Sequence, residues 1–489
     1  MERIGDRLRL LTGARRTSAE RHRTLRATIA WSYDLLARPH QVLFQRLSIF
    51  AGTFDVAAAA SVAGDPEADV DDLLGDLVER SMLVVEPGPF GRRFRLLETM
   101  REFADEQLRD DGSAELIAGR HAQWCLDQVT HIHQLLVGPA EVEGVARLGQ
   151  LWPNLRAGVD RACATGDSEL AGALVRPVAT EVNLRRQTEI SEWAERILAI
   201  TPRDDELIVY WLACAAYRHT QSGDRDGYER LVHRFGEPDH PLIRYTRAHL
   251  DDDGEASTEC TPKAVAWLRG QGENHAAAVT EIGGLSGLMS TGHFAELDAH
   301  GAALADRYRA HGPPTLLYVI LAVLGYSAYF QGKPDQADRL FDESASVEIP
   351  DRTPAASKPI EARSAFRRGN QADAFQILRS HVDELLQTEY RETATQAAVE
   401  FITMMAAIDR LPDAARVLGY LTTTGDFGAL AVRTLLADAA STIAATPDLE
   451  GPPGQQLDAR QALVYMRDVL DELAGGRQLT TGVRHEHAT

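Results

Sequence analysis

Chemistry on a nucleotide phosphate would need a glycine-rich loop closed by Lys and then Ser or Thr. Glycine amides cradle the phosphate oxygens, and the lysine adds charge. The chain carries three lysines, Lys263, Lys333 and Lys358, and only Lys333 follows a glycine; Pro334 stands where a magnesium-binding hydroxyl belongs. ATP hydrolysis cannot be built on these residues alone. Nucleophilic and metal-assisted hydrolysis lack their residues too, with no Gly-x-Ser-x-Gly elbow, no His-Glu-x-x-His and no cysteine paired by spacing with a histidine. The four cysteines, Cys125, Cys163, Cys214 and Cys260, stand far apart with no Cys-x-x-Cys step, which argues against a zinc site or a disulfide framework and fits a reducing cytoplasm. His131-Ile132-His133 would send its two rings in nearly opposed directions from a helix, and His485 and His487 fall in the terminal tail. Asp251-Asp252-Asp253-Gly254 lacks the alternating carboxylates and distal Glu of a calcium loop and reads as a solvated interruption. No enzymatic activity, cofactor or metal is therefore expected. Binding chemistry remains: Tyr210, Trp211, Tyr217 and Tyr329 could line a concave recognition surface or serve as core anchors.

The elements that must position these residues are mostly helical. Residues 24–36 place Leu25, Ile29, Tyr33 and Leu36 on one stripe; a second helix is expected through Val42, Leu43, Phe44, Leu47 and Phe50 to a stop at Gly52; a third over Val70–Arg80 repeats the pattern with Leu73, Leu74, Leu77 and Val78. The period then changes. Ser81-Met82-Leu83-Val84-Val85 is a short strand-like run, Pro87-Gly88-Pro89-Phe90-Gly91 is dense in turn residues, and Arg93-Phe94-Arg95-Leu96 alternates as a return strand would. Three helices and a β-hairpin make a winged-helix layout. A helix over Phe103–Asp110, a break at Gly112 and a long helix over Ala114–Leu136 should follow. Beyond these, Gly- or Pro-marked turns at Gly166, Gly223, Gly292, Gly332, Gly369 and Pro412 punctuate helix after helix, the last four separated by 40, 37 and 43 residues. Such spacing suits stacked helix pairs, although no strict 34-residue period holds. The fold class expected is mainly α: a winged-helix domain followed by an α-solenoid of tetratricopeptide-like helix pairs.

Arg21-His22-Arg23-Thr24-Leu25-Arg26, Trp31-Ser32-Tyr33-Asp34-Leu35-Leu36, Leu47-Ser48-Ile49-Phe50-Ala51-Gly52-Thr53-Phe54 and Arg95-Leu96-Leu97-Glu98-Thr99-Met100-Arg101-Glu102-Phe103-Ala104 resemble one family. It is the winged-helix segment of bacterial signal-transducing ATPases with numerous domains, the NB-ARC-like STAND regulators (LuxR/AfsR-type) of actinobacteria. The resemblance is specific over about the first quarter of the chain and architectural beyond it. It implies a P-loop ATPase before the winged helix and a sensor array after it, so the chain is expected to start where the nucleotide-binding domain ends. It also implies that Trp152-Pro153-Asn154-Leu155-Arg156 opens the first helix of the array. The relatives' nucleotide-facing Met-His-Asp motif falls on Leu96, Leu97 and Glu98. The missing histidine puts a direct phosphate contact in doubt, and Glu98 reads either as a relay carboxylate or as a favourable charge at a helix start.

At 489 residues with 25% charged and 44% hydrophobic residues, the chain is long enough for several domains and ordinary in composition. Expected boundaries are 1–23 for a remnant of the ATPase module, 24–110 for the winged helix, 111–250 and 258–475 for the two parts of the array, and 476–489 for a disordered tail. A formal charge of −21 argues against a general nucleic-acid surface. Residues 1–26 are the local exception, with eight arginines against three acidic residues. Arg21, Arg23 and Arg26 could meet an acidic neighbouring domain or, less in keeping with the rest, DNA. The helix at Val70–Arg80 carries Asp71, Asp72, Asp76 and Glu79, which would repel phosphate. No signal core is present, and the longest apolar run, Thr315–Phe330, falls short of a membrane span, so a cytoplasmic protein without a membrane partner is expected. The reading is a non-catalytic sensor and relay module that binds a protein or small ligand on its array and works with an ATPase domain that is separate or missing. A free-standing interaction scaffold and a DNA-binding transcription factor are the alternatives.

Overall fold

The computed structural model describes residues 25–64, 69–185, 188–350, 357–387, 392–422, 436–446 and 457–474. The expected arm at 1–23 and tail at 476–489 lie outside them. The chain divides into two compact units: one runs to His133 and resumes over Gly144–Pro177, and the other comprises Gln134–Glu143 and everything from Val178. The fold is mainly α, with one two-stranded sheet among the described residues.

In the first unit, helical residues 25–34 precede helices at Arg38–Leu47, Val56–Ala63 and Val70–Glu79. Each start has a local cause. Pro39 sits in the first turn of Arg38–Leu47, where its missing N–H costs nothing. Asp55 caps the next helix by accepting from the Ala58 amide at 2.8 Å, and Asp69 caps the third at Asp71 and Asp72. Strands β1 (Val84–Gly88) and β2 (Gly91–Arg95) pair antiparallel, Val84 opposite Arg95 and Gly88 opposite Gly91, and Gly91 turns the chain at φ +116°. Phe54 adds a further bridge to Phe94. Phe44, Leu47, Phe50, Phe54, Leu74, Leu77 and Phe94 fill the centre, all at most 2% exposed.

Helices followed by a hairpin are thus present where the sequence led us to expect them, with two differences. The second helix stops at Leu47, short of Gly52, and the helix Val56–Ala63 was not foreseen. Downstream, Glu98–Asp111 ends on left-handed Gly112 (φ +78°), and Ala114–Leu136 and Glu141–Thr165 follow. Pro153 lies inside the last of these, so Trp152-Pro153-Asn154 is mid-helix and opens nothing.

The second unit is a succession of packed helices. Several turns place a glycine in the left-handed region, at Gly223, Gly292, Gly332 and Gly369 (φ +66° to +81°), where a side chain would be strained. Asp409 takes that conformation before Pro412. The acidic run is a tight turn of the same kind: Pro241–Asp251 ends, Asp252 is left-handed, and Asp253 caps the following helix, Gly254–Gly270, at the Ala256 amide (2.9 Å). The long apolar run forms the helix Pro314–Phe330, with twelve buried positions. Among the described residues no helix is long and apolar enough to cross a membrane.

In the pair Pro314–Phe330 and Pro334–Ser346 the close-approach glycine is Gly325, not Gly332. A Cβ on Gly325 would lie 2.5 Å from the Phe341 ring, whereas Gly332 faces open space and serves only its φ. Gly325→Val is expected to cost about 1–3 kcal/mol by overpacking, seen as a lowered urea midpoint; an unchanged midpoint would refute this packing.

Candidate functional site

The second unit encloses a cavity of about 1440 Å³. Tyr217, Gln221, Tyr245, His249, Ser286 and Ser290 supply polar wall, while Leu316, Val319, Val323, Leu385, Leu386 and Leu463 supply apolar wall. The polar side is built on a seam of glycines in the helix Asn274–Ser290. A Cβ on Gly283 would stand 2.2 Å from the Tyr245 hydroxyl, one on Gly284 2.5 Å from the Thr261 methyl, and one on Gly287 3.0 Å from Ser257. Without those side chains, Asn274–Ser290 packs against both Pro241–Asp251 and Gly254–Gly270. Tyr245 and His249, one turn apart, hold their rings 4.2 Å apart. The charged lining residues are Asp251, Asp252, Asp253 and Asp458 against Arg225 and Arg460, and Arg225 pairs with Asp251 at 2.5 Å.

Two buried ionic groups brace this wall. Tyr326, in the lining, donates its hydroxyl to Glu400 Oε1 at 3.4 Å, and Arg363 Nη1 donates to the same oxygen at 2.8 Å. The Arg363 guanidinium also lies 4.0 Å from the centre of the Tyr329 ring. Burial pushes the Glu400 carboxyl up, and Arg363 opposes that rise. Beside the lining residues Leu184 and Leu316 sits the second group. Arg185, 2% exposed at its side chain, donates to Glu181 at 2.5 Å, to Glu141 and, at 3.3 Å, to the Thr315 hydroxyl, while Glu141 Oε2 accepts the Thr315 amide at 2.8 Å. Burial raises the Glu181 carboxyl as well.

Of the aromatic residues singled out from sequence, Tyr217 lines the cavity. Tyr210 and Trp211, 3% and 2% exposed, pack edge-to-face inside the core, and Tyr329 lies under Arg363 outside the lining. Tyr245 and Tyr326 line the wall without having stood out: the first precedes an unremarkable turn, the second is hidden in the apolar run.

In the first unit, Arg21 and Arg23 fall outside the described residues. Arg26 pairs with Glu106, Nη1 to Oε1 at 2.9 Å, on the surface. Glu98 opens its helix and binds Arg101 at 2.7 Å. The three basic hairpin residues are all paired: Arg92 with Asp71 (2.8 Å), Arg93 with Asp55 (3.0 Å) and the Thr53 carbonyl (2.9 Å), and Arg95 with Glu86.

A polar knot ties this unit's interior together. Asn154, fully buried on Glu141–Thr165, accepts the Gly52 amide at 3.3 Å and donates to the Thr53 carbonyl at 3.2 Å. His121, 3% exposed, lies against Phe50 and Trp124 and is hydrogen-bonded to Asn154; burial lowers its pKa from 6.5 to about 4. Because the native state holds the ring neutral, its contribution is complete above pH 6.5 and is lost as pH falls from there toward 4. Over that range His121 is expected to cost up to about 3 kcal/mol of stability. Urea unfolding of wild type and His121→Gln at pH 7.5 and 4.5 checks it: the variant should lose less on acidification, and equal losses would refute the assignment.

No family model matches the chain. It is 40% identical over 150 residues to a Mycobacterium tuberculosis protein provisionally named an HTH-type transcriptional regulator, and equally to its Mycobacterium bovis counterpart; the match covers 29% of this chain and 17% of either relative. An uncharacterised Mycobacterium tuberculosis protein is 36% identical over 122 residues, 24% of this chain and 31% of that protein. Among solved structures, a signal transduction ATPase with numerous domains (STAND) from Pyrococcus horikoshii, with a tetratricopeptide repeat sensor, is similar at 16% identity and a TM-score of 0.41, over 91% of this chain and 61% of that one. The chain thus spans less than a fifth of the length of the named regulators it matches.

Proposed function

We propose that this chain is the non-catalytic sensor and relay module of a STAND-type transcriptional or signalling regulator. The helical array receives a protein or small ligand in its cavity, and the helix-plus-hairpin unit, acting as a winged helix, passes the change to an ATPase domain. The observation that carries the reading is the cavity itself, larger than the ~300–1,000 Å³ of ordinary small-molecule pockets and walled by successive helices, with Tyr217 among its lining. Stretches quoted from the first quarter of the chain resemble the STAND winged-helix segment, and the partial match to proteins named as transcriptional regulators agrees with that role. Arg26 and Glu98 are the relay residues proposed within the described part, with Arg21 and Arg23 beyond it.

The neutral fluorophore Nile red tests the cavity. Its emission should shift to the blue on the full chain and not on Val323→Arg, which fills the apolar wall. Emission unaffected by that substitution would refute the reading. The DNA-binding alternative finds its basic residues already engaged, with Arg92, Arg93 and Arg95 in ion pairs. A gel-shift assay at low salt should therefore show no complex with any duplex; a complex that weakens as salt rises would restore that alternative.

A further inference from the structure

The cavity's lining divides into two chemistries, and together they specify an occupant. One is apolar wall from helices far apart in sequence: Leu316, Val319 and Val323 on Pro314–Phe330, Leu385 and Leu386 on Gln371–Gln387, and Leu463 on Ala459–Ala474. The other is charge. Four exposed carboxylates line the cavity against two arginines, and one of those arginines is held by Asp251. Asp253 and Asp458 accept backbone amides at helix starts. The chain as a whole carries −21, so the long-range field has the same sign as the rim.

We propose that the cavity binds a basic amphipathic peptide, its apolar side chains on the leucine and valine wall and its lysines or arginines toward Asp252, Asp253 and Asp458. The inference rests on the reading of the cavity as a ligand site and adds the chemistry of the ligand. Nucleic acid is disfavoured because its phosphates would meet a carboxylate rim. A volume of about 1440 Å³ suits a peptide segment better than a metabolite.

The test uses the full chain and two labelled synthetic peptides, the heptad Leu-Lys-Lys-Leu-Leu-Lys-Leu repeated twice and its twin with Glu for every Lys, followed by fluorescence anisotropy. The lysine peptide should bind at least about tenfold more tightly than the twin and weaken with salt. The double variant Asp252→Asn, Asp458→Asn should lose about tenfold for the lysine peptide, since two rim charges are removed. Asparagine tolerates both the left-handed turn and the cap, so the fold is kept. Val323→Arg should abolish binding of both peptides while its circular dichroism stays that of wild type. Equal affinity for the twins, removed by Val323→Arg, overturns the charge assignment and leaves the cavity as a binding site. Binding that survives Val323→Arg overturns both. Failure of both peptides to bind, beside a Nile red signal that Val323→Arg removes, overturns the peptide assignment alone.

Discussion

Arg185→Met is expected to be the most damaging single substitution considered, costing about 3–5 kcal/mol. The guanidinium sits between Glu141 and Glu181, at most 2% exposed at the side chains, and binds the Thr315 hydroxyl. Removing it leaves two carboxylates facing each other without a counter-ion, in a place where burial already raises Glu181. Two-charge repulsion and desolvation then act together. The urea midpoint of the variant should drop steeply at pH 7.5. The triple change Arg185→Met, Glu181→Met, Glu141→Gln should recover at least half the loss, because the uncompensated charge is gone and Gln still offers an acceptor to the Thr315 amide, which Glu141 accepts at 2.8 Å. A single variant as stable as wild type, or a triple variant no better than the single, would show that the cluster does not carry this energy.

The second large effect belongs to Asn154. Its side chain is the partner of two backbone groups, the Gly52 N–H and the Thr53 C=O, and it also holds His121. Asn154→Leu conserves much of the volume and removes all of these bonds. The Thr53 carbonyl keeps Arg93 Nη2 at 2.9 Å, so the Gly52 N–H and His121 are the groups that lose this partner; at about 1–3 kcal/mol each, a loss of about 2–4 kcal/mol is expected in thermal and urea unfolding. Asn154→Asp separates bonding from packing: it can still accept the Gly52 amide but cannot donate to Thr53, and should fall between the two. A leucine variant within about 1 kcal/mol of wild type would mean that water satisfies the loop.

Much of this fold was legible because its local rules agree with its global ones. The αL glycines mark helix ends wherever the chain must turn back, and Gly112, Gly223, Gly292, Gly332 and Gly369 all sit where a helix stops. The hairpin was legible from the change of period and the turn residues at 87–91. What was missed has equally physical reasons. Val56–Ala63 is Val-Ala-Ala-Ala-Ala-Ser-Val-Ala, nearly uniform in hydrophobicity, so no stripe announces it; Asp55, which caps it, is the signal that was there to find. Three consecutive aspartates looked like a solvated gap, yet one is left-handed and the next is a cap, and polarity alone does not tell a long loop from a two-residue turn.

The cavity wall was the hardest part to read. Tyr210 and Tyr217 are two helical turns apart and share a face, but the first is core and the second lines the cavity. Which applies depends on what covers the helix at each point along its length, and periodicity carries no such information. Gly283, Gly284 and Gly287 were likewise silent, since a glycine inside a helix reads as a weakness until a neighbour's side chain is seen against it.

That glycine seam restricts how the cavity wall can change over generations. Any replacement at Gly283 or Gly284 adds an atom where Tyr245 or Thr261 already lies, so the polar side is more readily altered at its own polar residues, such as Gln221 and His249, than on the glycine helix. The leucine and valine side obeys no such restriction, because side chains of many sizes can be exchanged there against an open volume. Sequence change in this wall should accordingly accumulate at half-buried positions such as 319, 323 and 386, while the glycine helix behaves as a fixed template.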